Sequence, residues 1–301
     1  MRTFLGIIGG SGLYDLPGLS GASWTTINTP WGPPSDDLLI GELGGIQIAF
    51  LPRHGRGHKH SPTGINYRAN IDAMKRVGVT DLVSLSACGS LKEDLSPGTF
   101  VLVDQFVDRT FSREKSFFGN GCVAYVSFGQ PVSPLLVGHV AHAAELERIP
   151  IRRGGTYLAM EGPQFSTLAE SKLYRAWGCD VIGMTNMPEA KLAREAELCY
   201  AAVAMVTDYD SWHAEFGPVY VSKVITTLLQ NADVAKKLVL RLAHCLPQQH
   251  EPCPIGSDSA LEYAILTLPE ARDPTVVAKL DAVAGRVLKA GIRPADYPAR
   301  K

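Results

Sequence analysis

The sequence predicts an α/β protein with one domain over residues 1–301. A central mixed β-sheet is flanked by helices, and a helical C-terminal portion begins at about 221. Three observations predict this. Short apolar runs of strand length alternate with segments whose apolar residues recur at helical spacing. Many of the strand-like runs end in glycine or polar clusters, as strands do where an α/β sheet presents its carboxyl edge. The 301 residues are 46% apolar, and no repeat or low-complexity linker divides them, so one large core is available.

Leu5-Gly6-Ile7-Ile8 reads as a buried strand that breaks at Gly9-Gly10-Ser11-Gly12. Residues 37–51 are strand-like on both sides of Gly44-Gly45, which makes a hairpin. Tyr67, Ile71 and Met74 give 66–77 a helical stripe that closes at Gly78. A strand follows over 81–86, then another over 100–103, then a polar, aromatic loop over 109–131. Residues 134–147 read as a helix, 153–160 as one strand, 167–176 as a helix and 180–185 as a strand. Pro188 suits the first turn of a helix over 189–197, because its missing N–H costs nothing there. Tyr200 to Val206 is the most strand-like run of all. A long amphipathic helix over 221–243, a Pro-containing linker over 246–257 and one or two closing helices over 258–290 complete the chain.

Composition removes several functions. There are 29 basic and 30 acidic residues, a net charge of −1 and no basic block, which disfavours nucleic acid as a partner. No apolar run reaches the length of a membrane span, and the start runs directly into a strand, so a cytoplasmic protein with no membrane partner is expected. The six cysteines, at 88, 122, 179, 199, 245 and 253, are too widely spaced for a CxxC pair or a compact zinc knuckle. Buried free thiols are expected, with Cys245 and Cys253 as a conceivable pair that a reducing cytosol disfavours.

Three polar clusters could carry chemistry. The turn at 9–12 reads either as a tight crossover or as an oxyanion cradle of backbone N–H groups with the Ser11 hydroxyl. Arg53-His54-Gly55-Arg56-Gly57-His58-Lys59-His60 is the densest positive stretch. It reads as an oxyanion site or a solvated loop, and suits a metal poorly, since Arg and Lys would oppose a cation. Thr207-Asp208-Tyr209-Asp210 places two carboxylates after the most apolar strand. They read as a metal pair, an acid–base pair, acceptors for a ligand's N–H groups or a turn cap, and local sequence does not choose.

Gly6-Ile7-Ile8-Gly9-Gly10-Ser11-Gly12-Leu13, Pro52-Arg53-His54-Gly55-Arg56 and Asn66-Tyr67-Arg68-Ala69-Asn70-Ile71 recur in family order with four later stretches. These are Ser86-Ala87-Cys88-Gly89-Ser90-Leu91, Met160-Glu161-Gly162-Pro163-Gln164-Phe165-Ser166, residues 180–189 (Asp180 to Glu189) and residues 204–212 (Ala204 to Trp212). On these motifs the chain resembles the methylthioadenosine phosphorylase branch of the trimeric purine nucleoside phosphorylases, and the match extends from residue 5 to about 230.

The resemblance implies the nucleoside phosphorylase fold and phosphorolysis, in which a purine thionucleoside and phosphate give free base and the pentose 1-phosphate. It implies phosphate held by Ser11, Arg53, His54, Ser86, Ala87 and Thr185, and ribose at Met184. It places the purine against Phe165 with Ser166 nearby, and on Asp208 and Asp210 as the catalytic pair. Asp208, protonated, would donate to N7, and Asp210, ionised, would accept from the 6-amino group. Val221, Val224 and Ile225 would enclose the alkylthio tail. A homotrimer is implied, with a neighbour's 120–140 region, around Phe117, Phe118, Phe128 and Pro131, closing the site. No metal or organic cofactor is implied. Asn186 stands where Thr is common in the family. The alternative is a methylthioinosine or general purine nucleoside phosphorylase of the same fold, and His213 is the feature favouring a 5′-hydroxyl. An NAD enzyme is disfavoured by the absence of GxGxxG.

Overall fold

Strand β1 (Phe4–Gly9) is buried along its whole length, with β4 (Ile46–Pro52) and β5 (Asp81–Ser90) running parallel on its two sides. Such strands are covered on both faces, which is why they read as near-continuous apolar runs. The computed structural model describes residues 1–10, 18–215, 219, 221–292 and 296, with the backbone alone for Val221 and Lys223.

The chain begins with β1, then β2 (Ser20–Thr25), β3 (Leu38–Leu43) and β4, whose hairpin with β3 turns at Gly44-Gly45. Helix α1 (Tyr67–Val77) is capped by the Asn66 side chain at one end and by Gly78, in the left-handed region at φ 97°, at the other. Next come β5, β6 (Phe100–Val103) and β7 (Gln105–Asp108), then α2 (Pro134–Leu146), β8 (Ile151–Arg153) and β9 (Thr156–Ala159). Helix α3 (Leu168–Ala176) starts from a capping box of Thr167 and Glu170. Strand β10 (Val181–Gly183), α4 (Asn186–Glu195) and β11 (Cys199–Asp208) lead to α5 (Val221–Cys245), α6 (Pro274–Lys279) and α7 (Gly285–Ala290).

Expected and observed elements differ in places. The single strand expected over 153–160 is two strands, because Gly154 and Gly155 turn the backbone at positive φ; β8 then pairs with β6 and β9 with β7. β2 carries little apolar signal and is mostly exposed, and β7 lies at the sheet's edge, so neither stood out. α4 opens with a single turn at Asn186, but Met187 is non-helical (φ −120°, ψ 131°), so its regular part starts at Pro188, as expected.

The mixed sheet branches at β5. Toward its start β5 lies between β1 and β11, both parallel to it. Where β1 ends, antiparallel β10 pairs with Ser90 and Gly89 in its place. The sheet therefore opens at the carboxyl ends of β1, β5 and β11, where α/β sheets bind ligands. Helices α2 and α5 cover one face of the sheet. Helices α1 and α4, together with Leu261, Ile265, Leu280 and Val287 of the C-terminal segment, cover the other.

The 246–257 linker is bonded to the sheet's amino edge: Thr3 donates to the Pro247 carbonyl at 2.6 Å, and His250 Nδ1 lies 2.9 Å from Asp81. All six cysteines are free thiols, and Cys253 faces Ser133 and Cys199, not Cys245.

Candidate active site

A cavity of about 250 Å³ occupies the opening at the branch. Its walls come from the end of β4 (Arg53, His54), the bend of β5 (Ser86–Gly89), the turn after β10 (Gly183–Thr185), the end of β11 (Thr207–Asp210) and α5 (Val224, Leu228). Gly89 seats the carboxylates. A Cβ there would come within 2.9 Å of Asp208 Oδ1 and 3.2 Å of Asp210 Cβ.

At one end lie Gly10, Arg53, His54, Ser86, Ala87 and Thr185. Arg53 is 1% exposed, and its guanidinium is largely committed inside the protein. Nε donates to Glu189 at 2.8 Å, Nη1 to the Leu85 carbonyl at 3.0 Å, and Nη2 to Ile8 O, Ser84 Oγ and Glu189. Of its five N–H groups, one on Nη1 has no acceptor among the described residues. Arg53 therefore cannot grip an anion bidentately, and it has one N–H for a ligand. Although burial opposes the charge, the Glu189 carboxylate holds Arg53 protonated.

His54 is neutral. Burial, reinforced by Arg53 and the neighbouring histidines, pushes its pKa down to about 4. Its Nδ1 lies 2.8 Å from the His60 carbonyl and so carries the proton, which leaves Nε2 as an acceptor, and its ring stacks on His58. The positive stretch read from sequence thus brings less charge to the cavity than its composition suggests. Thr185 is the N-cap of α4, and its hydroxyl makes no capping bond. Backbone N–H groups and the Thr185 hydroxyl at this end suit an oxyanion. Ser11 lies outside the described residues. No group of three or more His, Cys, Asp or Glu among the described residues is placed to hold a metal.

At the other end, Asp208 and Asp210 sit in unlike surroundings. Asp208 Oδ2 accepts from Thr207 at 2.7 Å and Oδ1 from the Asp210 N–H at 2.8 Å; burial still outweighs these bonds and raises its pKa. Asp210 holds φ at 51°, a left-handed conformation that Asp tolerates better than most residues. Its buried Oδ2 has no hydrogen-bond partner among the described residues. Burial, with Asp208 adding to it, raises its pKa to about 6 while the nearby Ser171 and Ser166 hydroxyls oppose the rise. Burial thus raises both carboxyls, but each Asp208 oxygen has a donor, whereas Asp210 Oδ2 has none among the described residues.

Met184, Phe165, Val224 and Leu228 join the two ends. Phe165 remains 41% exposed. Ser166 is buried behind the wall, its hydroxyl on Met160 Sδ, and does not line the cavity. Ile225 is 47% exposed and also lies off the cavity, because it points about 100° round α5 from Val224. Leu228, one turn beyond Val224, takes the place expected of it. The side chain of Val221 lies outside the described residues. His213 faces Glu93 at 3.2 Å and packs on Tyr209 and Trp212, away from the cavity wall. Phe117, Phe118 and Pro131 are buried within this chain, and Phe128 is partly buried under Arg194.

Sequence reading missed Arg113 and the part played by Glu189. Arg113 comes from the 109–131 loop, and its side chain is 1% exposed. It donates to the carbonyls of Met184 (2.5 Å), Met187 (2.7 Å) and Glu161 (2.6 Å), fixing the turn that carries Thr185. Glu161 binds it in turn, and against its burial the bonds from Thr63, Phe111, Ser112 and Arg113 hold its carboxyl down to about 2. No local pattern marks these partners, which lie 48 residues apart.

The Phosphorylase superfamily pattern matches residues 4–244 of the chain. The chain is 66% identical over 288 residues to the S-methyl-5′-thioadenosine phosphorylase of Bradyrhizobium diazoefficiens, covering 96% of this chain and 99% of that protein. Its fold matches the crystal structure of a methylthioadenosine phosphorylase from an Antarctic soil metagenomic library, with a TM-score of 0.88, 42% identity and coverage of 94% and 99%. It also matches a mutant adenosine/methylthioadenosine phosphorylase of Schistosoma mansoni in complex with methylthioadenosine, with a TM-score of 0.76, 32% identity and coverage of 94% and 98%.

Proposed function

The chain belongs to the phosphorylase superfamily, and from that premise we propose that its cavity cleaves S-methyl-5′-thioadenosine with orthophosphate, giving adenine and 5-methylthioribose 1-phosphate. The observation that carries this is one cavity with an oxyanion-suited end, a carboxylate end and apolar side chains between them. A phosphate oxygen forms the new bond to C1′ as the C1′–N9 bond breaks and its electron pair passes to the purine. Phosphate is thus the nucleophile, and the protein supplies none. His54, Ser86, Thr185, the backbone at Gly10 and Ala87, and the remaining N–H of Arg53 hold the phosphate, joined by Ser11. Fixing both reactants in one place removes an entropic cost from the step. Asp210 delivers the proton that neutralises the departing base, and its pKa of about 6 is near the working range of such an acid. Asp208, ionised, accepts from the 6-amino group. A 6-oxo group there would leave two acceptors facing each other, at a cost of about 1–3 kcal/mol. Val224 and Leu228 receive the methylthio group.

The working protein is taken to be a single-domain, cytoplasmic homotrimer with no cofactor. The exposed Phe111, Tyr125, Leu266 and Leu268 support an assembled form, since they leave apolar surface to be covered. Product analysis tests the reaction. Methylthioadenosine with phosphate should give adenine and a pentose 1-phosphate, and turnover should cease without phosphate. Free pentose formed at an equal rate without phosphate would overturn the proposal, and light scattering showing a fully active monomer would overturn the trimer.

A further inference from the structure

Beneath the oxyanion end lies a closed ring of buried side chains, of which only Arg53, with Ser86 attached to the ring, reaches the proposed phosphate. Glu189 accepts from Arg53 Nε at 2.8 Å and Nη2 at 3.2 Å, and from the Tyr200 hydroxyl at 2.9 Å. Asn186 Nδ2 donates to Tyr200 Oη at 3.0 Å and to Ser84 Oγ at 3.4 Å. Arg53 Nη2 donates to the same Ser84 oxygen at 2.6 Å, which closes the ring. Ser86 hangs from it, its hydroxyl donating to Asn186 Oδ1 at 2.8 Å. None of these six residues is more than 3% exposed. Burying a charge pair and four polar side chains costs more than filling the same volume with apolar groups, so stability alone is a weak reason for the ring. Two of its members, Arg53 and Ser86, line the cavity.

We propose that Glu189 is a positioning residue for the phosphate, acting through Arg53 directly and, by way of Tyr200 and Asn186, through Ser86. The proposal rests on the phosphate reading of that end of the cavity. Glu189 turns the guanidinium so that one Nη1–H remains for the ligand. The Asn186 arm draws the Ser86 proton inward, so the Ser86 oxygen meets the phosphate as an acceptor. A phosphate that keeps two protons accepts from Nη1–H and can donate to both Ser86 Oγ and His54 Nε2. Asn186 donates to both Ser84 and Tyr200 while accepting from Ser86, two donations that a hydroxyl with a single proton could not make at once.

The test compares wild type, Tyr200→Phe and Glu189→Gln in two measurements. Inorganic phosphate is titrated calorimetrically into nucleoside-free protein, and KM is measured separately for phosphate and for the nucleoside at saturating co-substrate. Melting temperatures report folding. Tyr200→Phe opens the ring without touching the ion pair, and should weaken phosphate about fivefold. Glu189→Gln removes the charge-assisted bonds, and should weaken it about tenfold or more. In both, the nucleoside KM should stay within about twofold of wild type. The proposal is overturned if a folded Tyr200→Phe binds phosphate as wild type does, if both KM values rise together, or if Glu189→Gln binds phosphate more tightly. The last result would make Glu189 a charge neutraliser. Base release without phosphate would strike the proposed reaction, while the calorimetric affinities would still decide the role of the ring.

Discussion

The two ends of the cavity solve opposite problems. At the oxyanion end nearly every polar group is already bonded: Arg53 to Glu189, Ser86 to Asn186 and His54 to the His60 carbonyl. At the carboxylate end, Asp210 is buried with one oxygen bonded to nothing among the described residues, and its pKa rises to about 6. The first end is organised to hold a group still, and the second to change protonation. On the proposed phosphorolysis, the contrast says how a site with little free positive charge would bind the phosphate. Positions are set by hydrogen bonds inside the fold, and charge is met by aligned N–H groups and hydroxyls.

Asp210→Asn should break the contrast most sharply, because it removes the titrating group and keeps its shape. Turnover of methylthioadenosine should fall about 10²–10⁴-fold. The same variant should gain stability. The folded pKa of Asp210 is raised, so its favourable contribution is present below the ordinary value of 3.8 and lost as pH rises through about 6. At pH 7.5 the wild type therefore bears a penalty of about 3 kcal/mol that the Asn variant escapes. Urea titrations at pH 7.5 and 4 should show the gain at the first pH and little of it at the second.

Arg53→Ala attacks the other end. It leaves Glu189 buried without a partner, so stability should fall by about 3–5 kcal/mol. Specificity for phosphate (kcat/KM) should fall about a hundredfold, as steady-state kinetics would show. A milder way to sharpen the comparison is the pH profile of kcat/KM for the nucleoside at saturating phosphate. It should decline as pH rises past about 6, where Asp210 loses its proton in the free enzyme. His54, neutral above about pH 4, should add no limb between pH 5 and 8. The smallest effect concerns the apolar span. Leu228→Ala should raise the methylthioadenosine KM about tenfold, and Ile225→Ala should leave it within about twofold.

Much of this was legible in the sequence because it is local. The strand ends that carry Arg53, Ser86, Thr185 and Asp208 are marked by the polar residues that interrupt apolar runs, and these four do line one cavity. The helix over 66–77 was marked by its apolar stripe and by Gly78 at its end. What was not legible depends on partners far apart in the chain. Arg53 and Glu189 are separated by 136 residues, and Arg113 and Met184 by 71. The protonation states of His54 and Asp210 follow from burial, which residue type does not reveal. One misplacement was avoidable. Val224 and Ile225 are adjacent on a helix and cannot share a face, whereas Val224 and Leu228 can.

Whether the two ends act separately is decided by measuring two quantities in wild type, Arg53→Lys and Asp208→Asn. The first is the phosphate KM, and the second is the ratio of kcat/KM for methylthioadenosine to that for methylthioinosine. Arg53→Lys keeps the charge but loses the planar fork that Glu189 grips, so the phosphate KM should rise while the ratio holds. Asp208→Asn replaces an acceptor with an amide able to donate to O6, so the ratio should shrink while the phosphate KM holds. Wild type should prefer the 6-amino substrate. A wild type that prefers methylthioinosine, or variants that each move both quantities together, would contradict the account.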